Sequence, residues 1–220
     1  MRALKNWFWP GIITVALLTV LAGWFLAGPI DARITEAANT ALSAQNDWAS
    51  AEVDGRDLIL KGVAPSEEAL ADAIKITNEI PGVRIVDNQT TLLSLAEPFS
   101  FVITKSDDGI LLSGNVPYGD TRAKILSAAE LAMPGIEILD EMAVARGAPP
   151  AFFELVQFAL GQAAQLINGE VEISGKTYTI RGTPASSADY AAINDALKKP
   201  LPGDAALNEI KLVPPVGQGG

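Results

Sequence analysis

The stretch DGRDLILKGVAPSEEALADAIKITNEIPGVRIV, residues 54–86, decides the fold because its pattern occurs two more times in the chain. It contains an Asp-Gly turn, an apolar strand pattern, a glycine, a helix pattern, and a Pro-Gly pair before another strand pattern. Residues 108–139 repeat this order, and residues 175–203 repeat it with more substitutions. Internal similarity of this kind predicts a chain built from several small units of one design.

Two glycines mark each copy, and their spacing is almost constant. The first glycine of each pair follows a strand pattern, where a close backbone approach or a positive φ would exclude a Cβ. We therefore expect a structural role for all six. The pairs are 20, 21 and 21 residues apart: Gly62 and Gly82, Gly114 and Gly135, and Gly182 and Gly203.

The three copies predict an α+β fold, an α/β sandwich in which each unit packs a three-stranded sheet on helices. The first unit should span residues 31–93 and include a leading helix with apolar residues at helical spacing. The second should span residues 99–145, and the third, a degenerate copy, residues 150–213. Residues 214–220 are typical of a linker or tail.

The first 30 residues predict a single transmembrane helix. Residues 1–6 form a basic tail with Arg2 and Lys5, and residues 7–30 have no charge over 24 positions, enough to cross a bilayer as a helix. Basic residues stay in the cytoplasm, which places the bulk of the chain on the outer side. A cleaved signal peptide is the alternative, but its apolar region is usually about 7–15 residues, and Leu26-Ala27-Gly28 is a poor cleavage site.

The composition excludes several classes of function. The chain has no Cys and no His, so it lacks disulfides, a thiol nucleophile, an imidazole base and the usual zinc ligands. Its formal net charge of −10, with scattered Lys and Arg, disfavours binding to nucleic acid. We expect no cofactor and no metal site.

Three acidic pairs, Glu67-Glu68, Asp107-Asp108 and Asp140-Glu141, are the only residues that could suggest acid–base catalysis. Each pair has a local structural reason: a helix start, a hairpin turn and a strand end. Gly175-Lys176-Thr177 is similar to the end of a phosphate loop, but it lacks the first glycine and falls in a predicted hairpin. The sequence therefore predicts a protein that is not an enzyme.

Lys61 and Arg181 are the candidate binding residues, since both precede a marker glycine and point outward from their strands. They could contact lipid phosphates or glycan, although Ser113 has the same place in the second copy, and a solvated surface is the competing interpretation. Five aromatic residues could line a lipid groove, but their strand or helix spacing favours the core: Phe99, Phe101, Phe152, Phe153 and Tyr178.

The units resemble the BON domain of bacterial envelope proteins. In the first unit the resemblance lies in Leu58, Leu60, Gly62, Pro81, Gly82, Val83 and Val86. In the second it lies in Leu112, Gly114, Pro134, Gly135 and Ile136, whereas the third keeps Gly182 but lacks the apolar residue after Pro202-Gly203. An N-terminal anchor followed by such repeats resembles the front part of OmpA-family proteins.

The resemblance implies a non-enzymatic binding or tethering protein of the periplasm or cell envelope. Residues 7–30 would hold it in the bilayer, and its other partners would be a phospholipid surface, peptidoglycan or another envelope protein. An alternative is an oligomeric pore-forming or ring-forming envelope protein whose units pack through open sheet edges. A hydrolase acting on envelope polymers is the least favoured alternative, since only the acidic pairs suggest it.

Overall fold

The computed structural model describes residues 3–44 and 46–214, but not the side chains of residues 3–10 and 22–31. It has the α+β architecture expected from the sequence, and it divides into two compact units, residues 1–92 and 93–220.

Several predictions about the two ends of the chain lie wholly or partly outside this description. They concern the basic tail at residues 1–6, the side chains of residues 7–10 and 22–30 in the anchor, and residues 215–220 of the tail. Among the described residues, no helix combines the length and the apolarity that a membrane crossing requires.

The first unit packs two helices on a four-stranded sheet. Strands β1 and β2 are antiparallel, β3 runs parallel to β2, and β4 pairs with the far end of β2. Ser66 caps the second helix with its hydroxyl, which accepts a hydrogen bond from Ala69 N at 3.1 Å. The elements are α1 (Ala3–Ser43), β1 (Ala49–Asp54), β2 (Asp57–Ala64), α2 (Glu67–Asn78), β3 (Ile85–Asn88) and β4 (Thr91–Leu92).

The second unit has one six-stranded sheet in the order β10-β9-β8-β5-β6-β7. Its three α-helices contribute to a single core. The elements are β5 (Ser100–Ser106), β6 (Gly109–Val116), α3 (Thr121–Ala132), β7 (Ile138–Val144), α4 (Phe152–Ala164), β8 (Leu166–Ser174), β9 (Thr177–Pro184), α5 (Ser187–Leu197), a 3-10 turn (Pro202–Asp204) and β10 (Ala206–Leu212).

The separate three-stranded sheets expected for residues 99–145 and 150–213 are wrong. Strands β5 and β8 pair side by side from Ser100 opposite Ser174 to Lys105 opposite Gly169. A unit of about 50 residues buries little core and leaves an open strand edge on each side. Pairing β5 with β8 satisfies both inner edges and lets the two halves share one core.

One order of pairing nevertheless occurs three times: an antiparallel hairpin, a helix, and a third strand parallel to the second. Strands β1–β3, β5–β7 and β8–β10 all follow it. At the end of the hairpin each has a glycine with positive φ, and a Cβ on Gly114 would lie 2.4 Å from the Ser100 carbonyl oxygen. No side chain fits there, so glycine is required at this position of the hairpin.

Candidate functional site

Helix α1 is part of the core of the first unit through its C-terminal half. Ile34, Ala38 and Leu42 recur on one side of the helix and are buried against the sheet. The Asn39 side chain donates to the Ala51 carbonyl oxygen (3.3 Å) and accepts from the Ala51 backbone amide (3.0 Å). These contacts fix the course of α1 along strand β1.

The packing also shows at which end α1 leaves the unit. Its C-terminal end lies beside the start of β1, where Asn46 N donates to Leu42 O at 2.6 Å. Its Ile34 lies at the other end, against Gly82, since a Cβ on this glycine would lie 3.2 Å from Ile34 Cδ1. Going towards its N-terminus, α1 therefore leaves the unit beside the loop that contains Gly82.

Three exposed arginines, Arg33, Arg56 and Arg84, lie at this same end, and we call them the arginine end. Arg33 is next to Ile34 on α1, Arg56 is in the β1–β2 turn, and Arg84 precedes β3. The Arg84 amide donates to the Arg56 carbonyl oxygen at 2.8 Å, and Arg56 Nε donates to Gly82 O at 3.1 Å. The parallel pairing of β2 with β3 brings Arg56 and Arg84 together.

Carboxylates modify the charge of the arginine end. Arg84 binds Asp57 through two hydrogen bonds, 2.9 and 2.6 Å, and the hydrogen bond from Arg84 lowers the pKa of the Asp57 carboxyl. Asp54 is also exposed at this end. Among the described residues, Arg33 and Arg56 form no ion pair. These two guanidinium groups can therefore contact an anion, although the local net charge is small.

The apolar part of α1 continues directly from the arginine end. In residues 11–21 the large apolar side chains are exposed, for example Leu17 at 60 % and Val20 at 69 %. Exposed apolar surface of this kind is typical of sites that contact lipid or another protein. Residue 30 is only about 5 Å from Arg33 along a helix axis, at 1.5 Å per residue.

The two cations singled out in the sequence already have carboxylate partners. Lys61 Nζ lies 2.6 Å from Glu52 Oε2 on the neighbouring strand of the first unit. In the second unit, Arg181 donates to Glu209 at 2.6 and 2.8 Å, and its Nη1 lies 3.5 Å from Glu170. The hydrogen bond to Glu209 raises the pKa of the Arg181 guanidinium. Each cation thus binds across its own sheet.

The second glycine of each pair has positive φ in all three places. Gly82 lies against Ile34, and a Cβ on Gly203 would lie 2.5 Å from Pro150 O, whereas Gly135 has open space around it. The marker glycines are thus backbone features of the turns and hairpins. The acidic pairs lie at the start of α2, in the β5–β6 turn and in β7, and no group of described residues could hold a metal ion.

Sequence reasoning missed the arginine end because its residues are far apart in the chain. Arg33, Arg56 and Arg84 meet only when the direction of α1 and the pairing of β2 with β3 are known. A signal was present, since Arg56 and Arg84 each lie beside the start of a predicted strand in the same unit.

Comparison with known proteins identifies one region of the chain. No curated protein matches the chain, whereas seven chains of solved structures do, among them two of CdsD. One is the C-terminal domain of CdsD, described as the structural protein of the Type III secretion system of Chlamydia trachomatis (10% identity, TM-score 0.26, 81% of this chain and 96% of that chain). The other is also CdsD (13% identity, TM-score 0.25, 81% and 91%).

At these TM-scores neither likeness supports an inference about this chain. The BON domain model matches residues 30–94, which contain the buried half of α1, helix α2 and the sheet of the first unit. BON domains are non-catalytic binding domains that occur in periplasmic or envelope proteins. Residues 30–94 of this chain are therefore a BON domain.

Proposed function

We propose that the chain is a non-catalytic tether of the cell envelope whose BON domain lies against a phospholipid surface with its arginine end. The observation that carries this proposal is that one continuous helix, α1, joins the exposed apolar residues 11–21 to the arginine end. Residues 7–30 would lie in the bilayer, with the N-terminus in the cytoplasm and the rest in the periplasm.

The dimensions of a bilayer agree with this arrangement. If the hydrocarbon region ends near residue 30, Arg33 lies about 5 Å beyond it, in the layer of lipid phosphates. Arg56 and Arg84 lie at the same end of the domain as Ile34. A basic side chain near an anionic lipid surface contributes about 1 kcal/mol. The arginines would then orient the domain, whereas the apolar helix would supply most of the membrane affinity.

The charge distribution of the BON domain favours the same orientation. Residues 31–92 have five basic side chains, and three of them, Arg33, Arg56 and Arg84, form the arginine end. Of the other two, Lys75 lies in the last turn of α2, just before the loop that contains Gly82, and Lys61 lies further along β2. Carboxylates are in excess over the rest of the domain. An acidic surface is repelled by anionic lipid, so the arginine end is the side that can approach it.

Hydrogen exchange of the full chain in lipid nanodiscs tests this proposal. We expect anionic lipid, compared with zwitterionic lipid, to slow exchange in the loop at residues 79–84. The double variant R33Q/R56Q should lose this difference, because it removes the two guanidinium groups without an ion pair. The control K61Q/K176Q removes the same charge, from Lys61 on β2 and from the β8–β9 turn of the second unit, and should keep it. Equal exchange of the wild type in both lipids would rule out the contact.

Contact with peptidoglycan or with another envelope protein, implied by the resemblance, stays a prediction. If R33Q/R56Q remains in the membrane fraction while losing the lipid-dependent protection, the helix and the arginines have the separate roles proposed for them. If the full chain is extracted from membranes by alkaline carbonate, the anchor is wrong, whatever the arginines do.

A further inference from the structure

Strand β7 is an edge of the six-stranded sheet, and in the described structure no strand pairs with its outer side between Ile138 and Val144. Just beyond it, Arg146 N donates to Ser94 O at 2.8 Å and Arg146 O accepts from Ala96 N at 3.0 Å, so an added strand could pair only along β7 itself. Its sequence ILDEMAV is rich in apolar residues, and Leu139 and Val144 are 56 % and 39 % exposed. An added strand would cover these side chains and satisfy the outer backbone groups. In a homogeneous solution of the protein, the nearest available strand is β7 of a second copy.

The outward direction of the β7 backbone follows from its pairing with β6. Ala145 N donates to Val116 O of the β6 strand at 2.9 Å, so odd-numbered residues direct their backbone groups to β6. Backbone directions alternate along a strand, and the even-numbered residues, among them Met142 and Val144, direct theirs to the open edge.

A side chain of β7 itself occupies the middle of this edge. The Met142 amide, which points outward, donates to Asp140 Oδ1 at 3.0 Å. The other carboxylate oxygen, Asp140 Oδ2, accepts from Arg122 Nε of α3 at 2.8 Å. The carboxylate is therefore held from two sides, and the amide that an incoming strand would need is already bonded.

Two other edge strands, β1 and β10, have comparable features. On β1, the Asn39 carboxamide of α1 bonds both outward backbone groups of Ala51, in the way that a neighbouring strand would. The backbone groups of Ala51 point outward from the sheet. Its partner on β2, Leu60, points its carbonyl oxygen to the opposite side, where this oxygen accepts from Gln89 N at 2.9 Å. On β10, the register with β9 shifts between Leu207 and Glu209, and such irregularities oppose strand addition.

We infer that Asp140, held by Arg122, closes the edge of β7 and prevents it from pairing with β7 of a second copy. This inference does not depend on the proposed function. It opposes assembly of these proteins through β7, the kind of contact that a ring built from open sheet edges would use. Contacts between copies, where they form, would use helices or sheet faces.

The test compares Asp140→Ala with Glu141→Ala in the full chain, measured by sedimentation velocity in mild detergent. Both variants remove one carboxylate from β7, but only Asp140 bonds the outward amide. We expect D140A to self-associate at concentrations at least about tenfold lower than the wild type. E141A should behave like the wild type.

Two further variants separate edge pairing from general destabilisation. Val144→Pro removes an outward N–H without losing a bond to β6, and proline is tolerated on strand edges. The double variant D140A/V144P should return to the association state of the wild type. Asp140→Asn keeps an acceptor for Met142 N and should also stay at the wild-type state.

The results have defined consequences. Association of D140A that V144P reverses supports the inference. The inference is overturned if a folded D140A variant associates no more than the wild type. It is also overturned if D140A/V144P associates as strongly as D140A. If D140A does not fold, D140N decides alone: self-association of the folded D140N variant would show that the capped amide is not what closes the edge.

Discussion

At the scale of single residues, the second unit contains a buried hydroxyl group without a partner. Tyr178 is fully buried under α4, with its ring 5.6 Å from that of Phe158, and its hydroxyl has no hydrogen-bond partner in the described structure. Burial raises the pKa of this phenol, which keeps it neutral at all physiological pH values. The hydroxyl thus contributes a desolvation cost to folding.

Tyr178→Phe should therefore stabilise the second unit. Removing a buried, unpaired hydroxyl is expected to raise the free energy of unfolding by about 1 kcal/mol, as measured by chemical denaturation. Tyr190→Phe is the matched control, since Tyr190 is half-buried on α5, and it should change stability by less than about 0.5 kcal/mol. A loss of stability in Y178F would show that the hydroxyl has a bonding partner.

A residue on β5 bonds the C-terminal end of helix α4. Lys105 donates from Nζ to the Ala164 carbonyl oxygen at 3.0 Å, at the C-terminal end of the helix, where a cation is favourable. Partial burial lowers the pKa of Lys105. Phe101, Ile103 and Lys105 alternate along β5 towards the helix layer, so the last of them reaches the helix terminus.

At the scale of elements, the C-terminal half of α1 is held against the sheet of the BON domain by two kinds of contact. Ile34, Ala38 and Leu42 supply apolar burial, and Asn39 supplies the two hydrogen bonds to Ala51. The apolar contacts alone would allow the helix to slide along the sheet, whereas Asn39 fixes its position along β1.

Asn39→Ala should loosen this attachment at the edge of β1. We expect the Ala51 amide to exchange its hydrogen at least about tenfold faster, because the only acceptor it has in the described structure is removed, a loss of about 1–2 kcal/mol. Asn39→Asp keeps an acceptor and should protect the amide. Thr40→Ala, at an exposed position of the same helix, is the control. Equal exchange of the Ala51 amide in N39A and T40A would contradict the role of Asn39.

Local sequence signals predicted most of the elements. The Asp54-Gly55 turn, the Ser66 cap and the alternating residues Phe99, Phe101 and Ile103 lie where expected, because each depends on neighbours within a few positions. The pairing of β5 with β8 could not be predicted in this way. It depends on contacts between residues about 70 positions apart, and alternating strands of either half fit many partners equally well.

The candidate site was predicted less well than the fold. The outward strand positions of Lys61 and Arg181 were found correctly, but nothing in the sequence showed that Glu52, Glu170 and Glu209 would lie beside them. The arginine end was missed for the same reason as the β5–β8 pairing. A site assembled from a helix, a turn and a loop is visible only when the register of the sheet is known.

At the scale of the whole molecule, the central claim is that the BON domain faces a bilayer with its arginine end. The most direct test is the depth of two positions in the reconstituted full chain. Because the chain has no cysteine, Asp54→Cys and Asp47→Cys each give one label, at the arginine end and at the opposite end of β1. Along the strand these positions are roughly 20 Å apart.

Quenching of the two labels by lipids with a quencher on the head group would settle the orientation. The account predicts strong quenching at position 54 and weak quenching at position 47, with the difference reduced by R33Q/R56Q. Equal quenching at both positions, or stronger quenching at position 47, would contradict it.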